Sequence, residues 1–277
     1  MNDRLGNYPI LTSADMPRPK RSVLYWGRPK TGKTHCMLTW PKPFVVYWDD
    51  NLSTLLKFKV PFVHTNEKGE RLTWEDFEKY ILPAIRNRTI DAETIVFDSY
   101  SYASQDLRKS MQGSADKMPI AKWGSIMDRL FAATKDMTEA CLPDPSDPNK
   151  RTYNFIASVH EQPVLGDDGE LVKFKAAIQG QFAEWLPRFF DTVLVTDVKI
   201  EKQPDPITKV VGNSATYFVH TVSPDKYWIA GDGVGGDLGD KSVEFSPTMP
   251  KKLPATLSGT YQSLSKAWGI NQQTEKK

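Results

Sequence analysis

The chain has 277 residues, 39% hydrophobic and 25% charged, which is enough apolar material for one sizeable core and too little chain for two full domains. Its 36 basic and 34 acidic residues leave a formal charge of +2, so bulk charge gives no ground for a polyanionic partner, and such a reading has to rest on local clusters. Two cysteines, Cys36 and Cys141, exclude a disulfide framework and a cysteine-built zinc site, and a reducing, cytoplasmic setting is expected.

In chain order, residues 1–20 are polar and carry prolines, and read as a flexible N-terminal arm without the apolar run of a secretory leader. The apolar run 22–26 stops at Gly27, the pattern of a buried strand feeding a turn. Residues 33–40 form a short helix that Pro41 ends. A second buried strand, 44–48, closes on Asp49 and Asp50, and 60–64 is a third. Residues 73–88 read as helix, with Thr73 and Asp76 at capping-box spacing. The strand 94–97 ends at Asp98 and Ser99. Residues 121–140 are a long helix, and three prolines between 142 and 150 mark an exposed loop. Residues 153–159 make another buried strand that ends at His160, followed by a hairpin over 164–178 around Asp167, Asp168 and Gly169. A strand starts at 192–196, and 217–222 and 227–230 continue a β-rich C-terminal part, before a polar tail at 272–277. No stretch reaches the roughly 18 apolar residues of a membrane span.

Short apolar strands alternating with helices predict an α/β fold, a mainly parallel sheet with helices on both faces. Ligands of such sheets bind beyond the carboxyl ends of the strands, where Gly27, Asp49, Asp98 and His160 all fall. The expected division is the arm 1–20, one α/β domain over 21–235, and a C-terminal extension with its tail over 236–277.

Gly27-Arg28-Pro29-Lys30-Thr31-Gly32-Lys33-Thr34 matches the full Walker A pattern between a strand and a helix, with His35 following. The glycines let backbone N–H groups turn toward phosphate oxygens, and the helix N-terminus adds its dipole. Lys33 places a point charge at the β- and γ-phosphates, and Thr34 offers a hydroxyl to Mg²⁺. ATP and Mg²⁺ are the expected cofactors. Asp98, ending an apolar strand, reads as the Walker B carboxylate and second metal-site residue. One of Asp49 and Asp50, with a slight preference for Asp50, is expected to polarise the attacking water. His160 is placed to sense the γ-phosphate. His35, His64 and His220 show no metal-ligand pairing.

These elements in this order resemble the RecA-like P-loop ATPases, and within them the phage and prophage proteins of single-strand annealing and recombination. The residues that carry the resemblance are 27–34, 45–50, 95–99 and 155–161, with weaker support from Gln179, Gly180 and 191–195. It implies a RecA-like core, DNA-stimulated ATP hydrolysis, a homo-oligomeric ring or filament with ATP between subunits, and host cytoplasm as the setting if the chain is phage-encoded. It also implies single-stranded DNA contact through the loops after the Asp98 strand and after the His160 strand, the stretches 100–123 and 161–178, with a single-strand-binding protein as a further partner. In the first stretch the candidates are Arg108, Lys109, Lys117, Lys122 and Trp123, and in the second Lys173, Phe174 and Lys175. Cations would meet phosphates there and aromatic rings would stack on bases. On residues alone, the first stretch also reads as an exposed helix face and the second as an ordinary half-buried strand. One departure is that 227–232, where such proteins often carry a basic residue reaching a neighbour's ATP, has no Lys or Arg. That departure keeps open a DNA-binding module with little turnover; a small-molecule kinase is a more distant alternative.

Overall fold

Six apolar runs assemble into one sheet. The computed structural model describes residues 4–5, 8–9, 20–114, 117–144, 147, 149–204, 211–220, 231–232 and 252–254. Within the expected arm, β1 (Arg4–Leu5) and β2 (Tyr8–Pro9) pair antiparallel. The core begins with β3 (Ser22–Gly27), α1 (Lys33–Met37), β4 (Pro43–Tyr47), α2 (Ser53–Phe58) and β5 (Phe62–Val63). The expected helix 73–88 is three joined pieces: α3 (Trp74–Asp76), a π-helical turn (Phe77–Ile81) and α4 (Leu82–Arg86). Thr73 caps it, its hydroxyl oxygen accepting from the Asp76 amide. Then follow β6 (Thr94–Asp98), α5 (Tyr100–Gln112), α6 (Ile120–Glu139), β7 (Asn154–Leu165), β8 (Leu171–Ala176), α7 (Phe182–Trp185), a 3-10 turn (Leu186–Phe189) and β9 (Thr192–Pro204). The last described strands are β10 (Val211–His220), β11 (Gly231–Asp232) and β12 (Lys252–Pro254).

The sheet order is β12-β10-β9-β3-β7-β6-β4-β5. From β9 to β5 every pairing is parallel, and β10, β11 and β12 join antiparallel beyond β9. Alternation along the strands sends side chains to two cores. Val23, Tyr25, Val45 and Val96 face one way, against Cys36 and Met37 of α1 and Leu55 of α2. Leu24, Trp26, Val46 and Phe97 face the other, against Trp74 of α3, Leu107 of α5 and Leu130 of α6. Helices therefore cover both faces, as the alternating pattern predicts. The second core is aromatic: Trp48, Trp74, Phe77, Phe97 and Tyr100 form a chain with ring centroids 4.7 to 6.1 Å apart. Each such side chain, fully buried, contributes about 1.5–3 kcal/mol.

Two sequence expectations are corrected. Residues 100–123 are not a loop: α5 starts at Tyr100, directly after β6, and α6 at Ile120. The first two turns of α5 are seated by burial of Tyr100, Ala103 and Leu107. The strand expected to end at His160 instead runs on to Leu165. Beyond the parallel sheet it pairs antiparallel with β8, from Glu161 opposite Ala176 to Leu165 opposite Leu171, as a two-stranded ribbon. The reading of 227–230 as strand lies outside the described residues, as does the tail. Of the extension 236–277 only β12 is described.

Candidate functional site

The carboxyl ends of β3, β4, β6 and β7 meet at one cavity of about 530 Å³. Pro29, Lys30, Gly32, Lys33, Thr34 and His35 line it from the loop, Tyr47, Asp49, Asn51 and Thr54 from the end of β4 and the start of α2, and Asp98, Tyr102 and His160 from β6, α5 and β7.

The loop owes its shape to two glycines and to what lies beneath it. Gly32 adopts φ 87°, the left-handed region. At Gly27 a Cβ would stand 2.4 Å from the Thr196 carbonyl oxygen of β9, so only glycine allows so close an approach. Buried Thr31 and Thr196 place their hydroxyl oxygens 2.6 Å apart, Thr31 also donating to the Arg28 carbonyl at 2.8 Å. The Lys33 ammonium turns inward and donates to the carbonyls of Gly27 (2.8 Å) and Arg28 (2.5 Å). Burial pulls its pKa down to about 8, against the opposing pull of Asp98, Glu161 and Asp49.

Thr34 donates to one oxygen of Asp98 at 2.6 Å, and Ser158 donates to the other. Burial raises the Asp98 pKa, while Ser158, Thr34 and Lys33 pull it down. A hydroxyl and a carboxylate facing each other are hard oxygen donors of the kind Mg²⁺ uses, the remaining positions going to waters and phosphate oxygens. The residues present fit such an ion. Among the described residues no cluster of three or more His, Cys, Asp or Glu could hold a metal, and a site shared with a triphosphate needs none.

His160 stands at the sheet end of β7, its ring edge-on to Tyr102 with centroids 5.5 Å apart, its amide donating to the Ser101 hydroxyl at 3.0 Å. Burial, and then Lys33, lower its pKa to about 4, so the ring is neutral at pH 7. Next to it Glu161, with its side chain 5% exposed, accepts from Arg28 Nε at 2.8 Å. Its other carboxylate oxygen is buried without a hydrogen-bond partner, and burial raises its pKa.

The geometry separates Asp49 from Asp50, the residue preferred from the sequence. Asp50 is exposed and its carboxylate pairs with Arg71, away from the cavity. Asp49 lines the cavity, and its charge acts on Lys33, Asp98 and His160. Of the loop residues, Gly27, Arg28 and Thr31 frame the cavity rather than line it. His35 lines it and packs edge-on against Phe58.

The DNA candidates lie apart from this cavity. Lys122 donates to the Met111 carbonyl, capping α5, and Trp123 is half-buried against the core. Arg108 is half-buried on α5 with a buried Nε that lacks a partner. Lys109 is exposed and lines a smaller neighbouring cleft, and Lys117 is exposed between α5 and α6. Lys173, Phe174 and Lys175 are on β8, where Lys173 pairs with Glu184 of α7 at 2.9 Å.

Sequence reasoning missed Ser158, Thr196, Glu161, Tyr102, Asn51 and Thr54. Ser158 had a signal, being the one polar residue inside the apolar run 155–159, which marks a buried group with a specific partner.

A phosphate loop at the end of β3, a carboxylate at the end of β6 and a strand inserted between the two define a P-loop nucleotide-binding protein with an α/β core. A family model described as AAA domain matches residues 19–232, and the chain belongs to that family. It is thus an AAA-type P-loop ATPase domain, a class that binds nucleotide, typically with Mg²⁺. A search of curated proteins finds no match. Among the described residues no helix is long and apolar enough to cross a membrane.

Proposed function

We propose that this chain is a RecA-like, Mg²⁺-dependent ATP hydrolase that acts on single-stranded DNA as a homo-oligomer, in phage-type recombination or strand annealing. The observation that carries the reading is the convergence of Lys33, Thr34, Asp98, Asp49 and His160 on one cavity, with the His160 strand continuing into a ribbon whose second strand carries Lys173 and Lys175. On nucleotide binding Lys33 exchanges its two carbonyl partners for phosphate oxygens. Thr34 and Asp98 would hold Mg²⁺, which supplies charge neutralisation on the phosphates when bound. Asp49 orients the attacking water and His160, neutral and buried, registers the γ-phosphate.

DNA contact is supported by the ribbon. Lys173, Lys175 and Phe174 alternate on β8, and Val172 and Leu165 are exposed beside them. Since Trp123 packs on the core, base stacking falls to Phe174. Lys109, Lys117 and Lys122 are the cations of the first stretch that remain exposed, Lys122 with its ammonium on the Met111 carbonyl. A single-strand-binding protein is the partner class this role calls for. The absence of Lys and Arg from 227–232 favours a second reading, an ATP-gated DNA-binding module with little turnover.

Steady-state ATP hydrolysis with Mg²⁺, with and without single-stranded DNA, separates these. A rate that DNA raises and Lys33→Ala abolishes is the expected result. ATP-dependent DNA binding without turnover selects the second reading, and a DNA-indifferent rate removes DNA from the function.

A further inference from the structure

The short hairpin that follows β5 grips the turn that carries Asp49. It is closed by a bridge between Thr65 and Arg71 and by the Leu72 amide donating to the His64 carbonyl at 2.7 Å. From it the Arg71 guanidinium reaches across to the end of β4. One terminal nitrogen donates to the Trp48 carbonyl and the other to the Asp50 carboxylate. From the same hairpin His64 Nδ1 lies 3.2 Å from the Tyr47 carbonyl. On its other side the turn is tied by the Trp48 amide to the Asp98 carbonyl at 2.7 Å and by the Tyr47 hydroxyl to the Asn51 carbonyl at 2.6 Å. The two groups Arg71 holds, at 48 and 50, flank Asp49 on either side.

We propose that Arg71 is a positioning residue for catalysis: by clamping Trp48 and Asp50 it fixes the Asp49 carboxylate in the nucleotide cavity. A planar fork with two divergent donors suits that task, and a lysine point charge does not. Asp50, the residue that sequence reasoning preferred for water activation, acts here as the anchor of the fork. Arg71 and Asp50 are half and largely exposed, at 49% and 82% of their side chains. A pair so open to solvent adds little to stability, so its effect belongs in the reaction. This role rests on the reading of the cavity as an ATP-hydrolysing site.

The test is a double-mutant cycle on the full chain, following kcat, KM for ATP and thermal melting for Arg71→Ala, Asp49→Ala and the double variant. Arg71→Ala is expected to lower kcat by about tenfold to a hundredfold, the range for losing a group that orients a reacting one. KM and the melting curve are expected to stay near those of the unaltered protein. In the Asp49→Ala background the same change is expected to cause no further loss. Arg71→Lys is expected to restore little, and guanidinium ion added to Arg71→Ala to restore part of kcat. If Arg71→Ala melts early, Asp50→Ala, which removes the acceptor of one tine of the fork, takes its place in the cycle. Undiminished kcat without Arg71, or an equal loss with and without Asp49, overturns the proposal. An unaltered protein that binds but does not hydrolyse ATP removes the reaction itself and this role with it, which distinguishes that failure from a wrong assignment of Arg71.

Discussion

Asp98 has both carboxylate oxygens engaged by hydroxyls, Thr34 on one side and Ser158 on the other. Asp98→Asn keeps the size and loses the charge that a divalent ion needs. Its Mg²⁺-dependent turnover is expected to fall by about a hundredfold or more, with nucleotide affinity falling less, as a Mg²⁺ titration of rate and of binding would read. His160 gives a pH dependence of stability. Its pKa drops from 6.5 to about 4 on folding, so between those values the unfolded chain holds the extra proton. Stability is complete above about pH 6.5 and declines as the pH falls toward 4. Denaturant midpoints across that window are expected to drop less in His160→Gln. Residues whose chemistry depends on spacing along the chain, such as Lys33 and Thr34, were legible in the sequence. Arg71 and His64 were not, because their targets are backbone carbonyls on a neighbouring strand. Nothing in the order of residues announces which carbonyls a long side chain will reach.

At the scale of elements, the loop sits directly on β9. Gly27→Ala is expected to destabilise the protein by about 3 kcal/mol, because the added methyl meets the Thr196 carbonyl, which cannot move aside, as well as its hydroxyl, each at 2.4 Å. A urea transition shifted to lower midpoint with unchanged slope would show it. Strands and most helices were legible from periodicity. The extension of β7 past His160 was not, because Glu161, Gln162 and Pro163 break the apolar run while the backbone goes on pairing. For the ribbon, Lys173→Glu with Lys175→Glu is expected to weaken single-stranded DNA binding and to reduce the slope of log affinity against log salt by about 1.4, two contacts at about 0.7 each. An unchanged slope would place the DNA elsewhere.

For the whole molecule, β9 closes the parallel sheet and carries the antiparallel strands beyond it. A chain stopped at Asp191 would leave the β3 edge unpaired, remove buried Val193, Leu194 and Val195, and strip the support under the phosphate loop. Such a truncation is expected to lose cooperative thermal unfolding and the ability to bind nucleotide, rather than behave as a smaller intact domain. The overall architecture was legible because burial imposes the same apolar runs on any such sheet. The clamp on Asp49 was not, since it depends on three elements meeting. The β7 strand gives the molecule a mechanical property. Its first half is locked between β3 and β6, its second half pairs with β8 outside the parallel sheet, tied back through Glu161 to Arg28 and Lys173 to Glu184, and His160 sits at the junction. From Glu161 to Leu165 the second half extends about 13 Å at about 3.3 Å per residue. Geometrically it is an arm whose base lies at the nucleotide cavity. A tilt of about 10° at that base would carry the tip about 2 Å by the same dimensions.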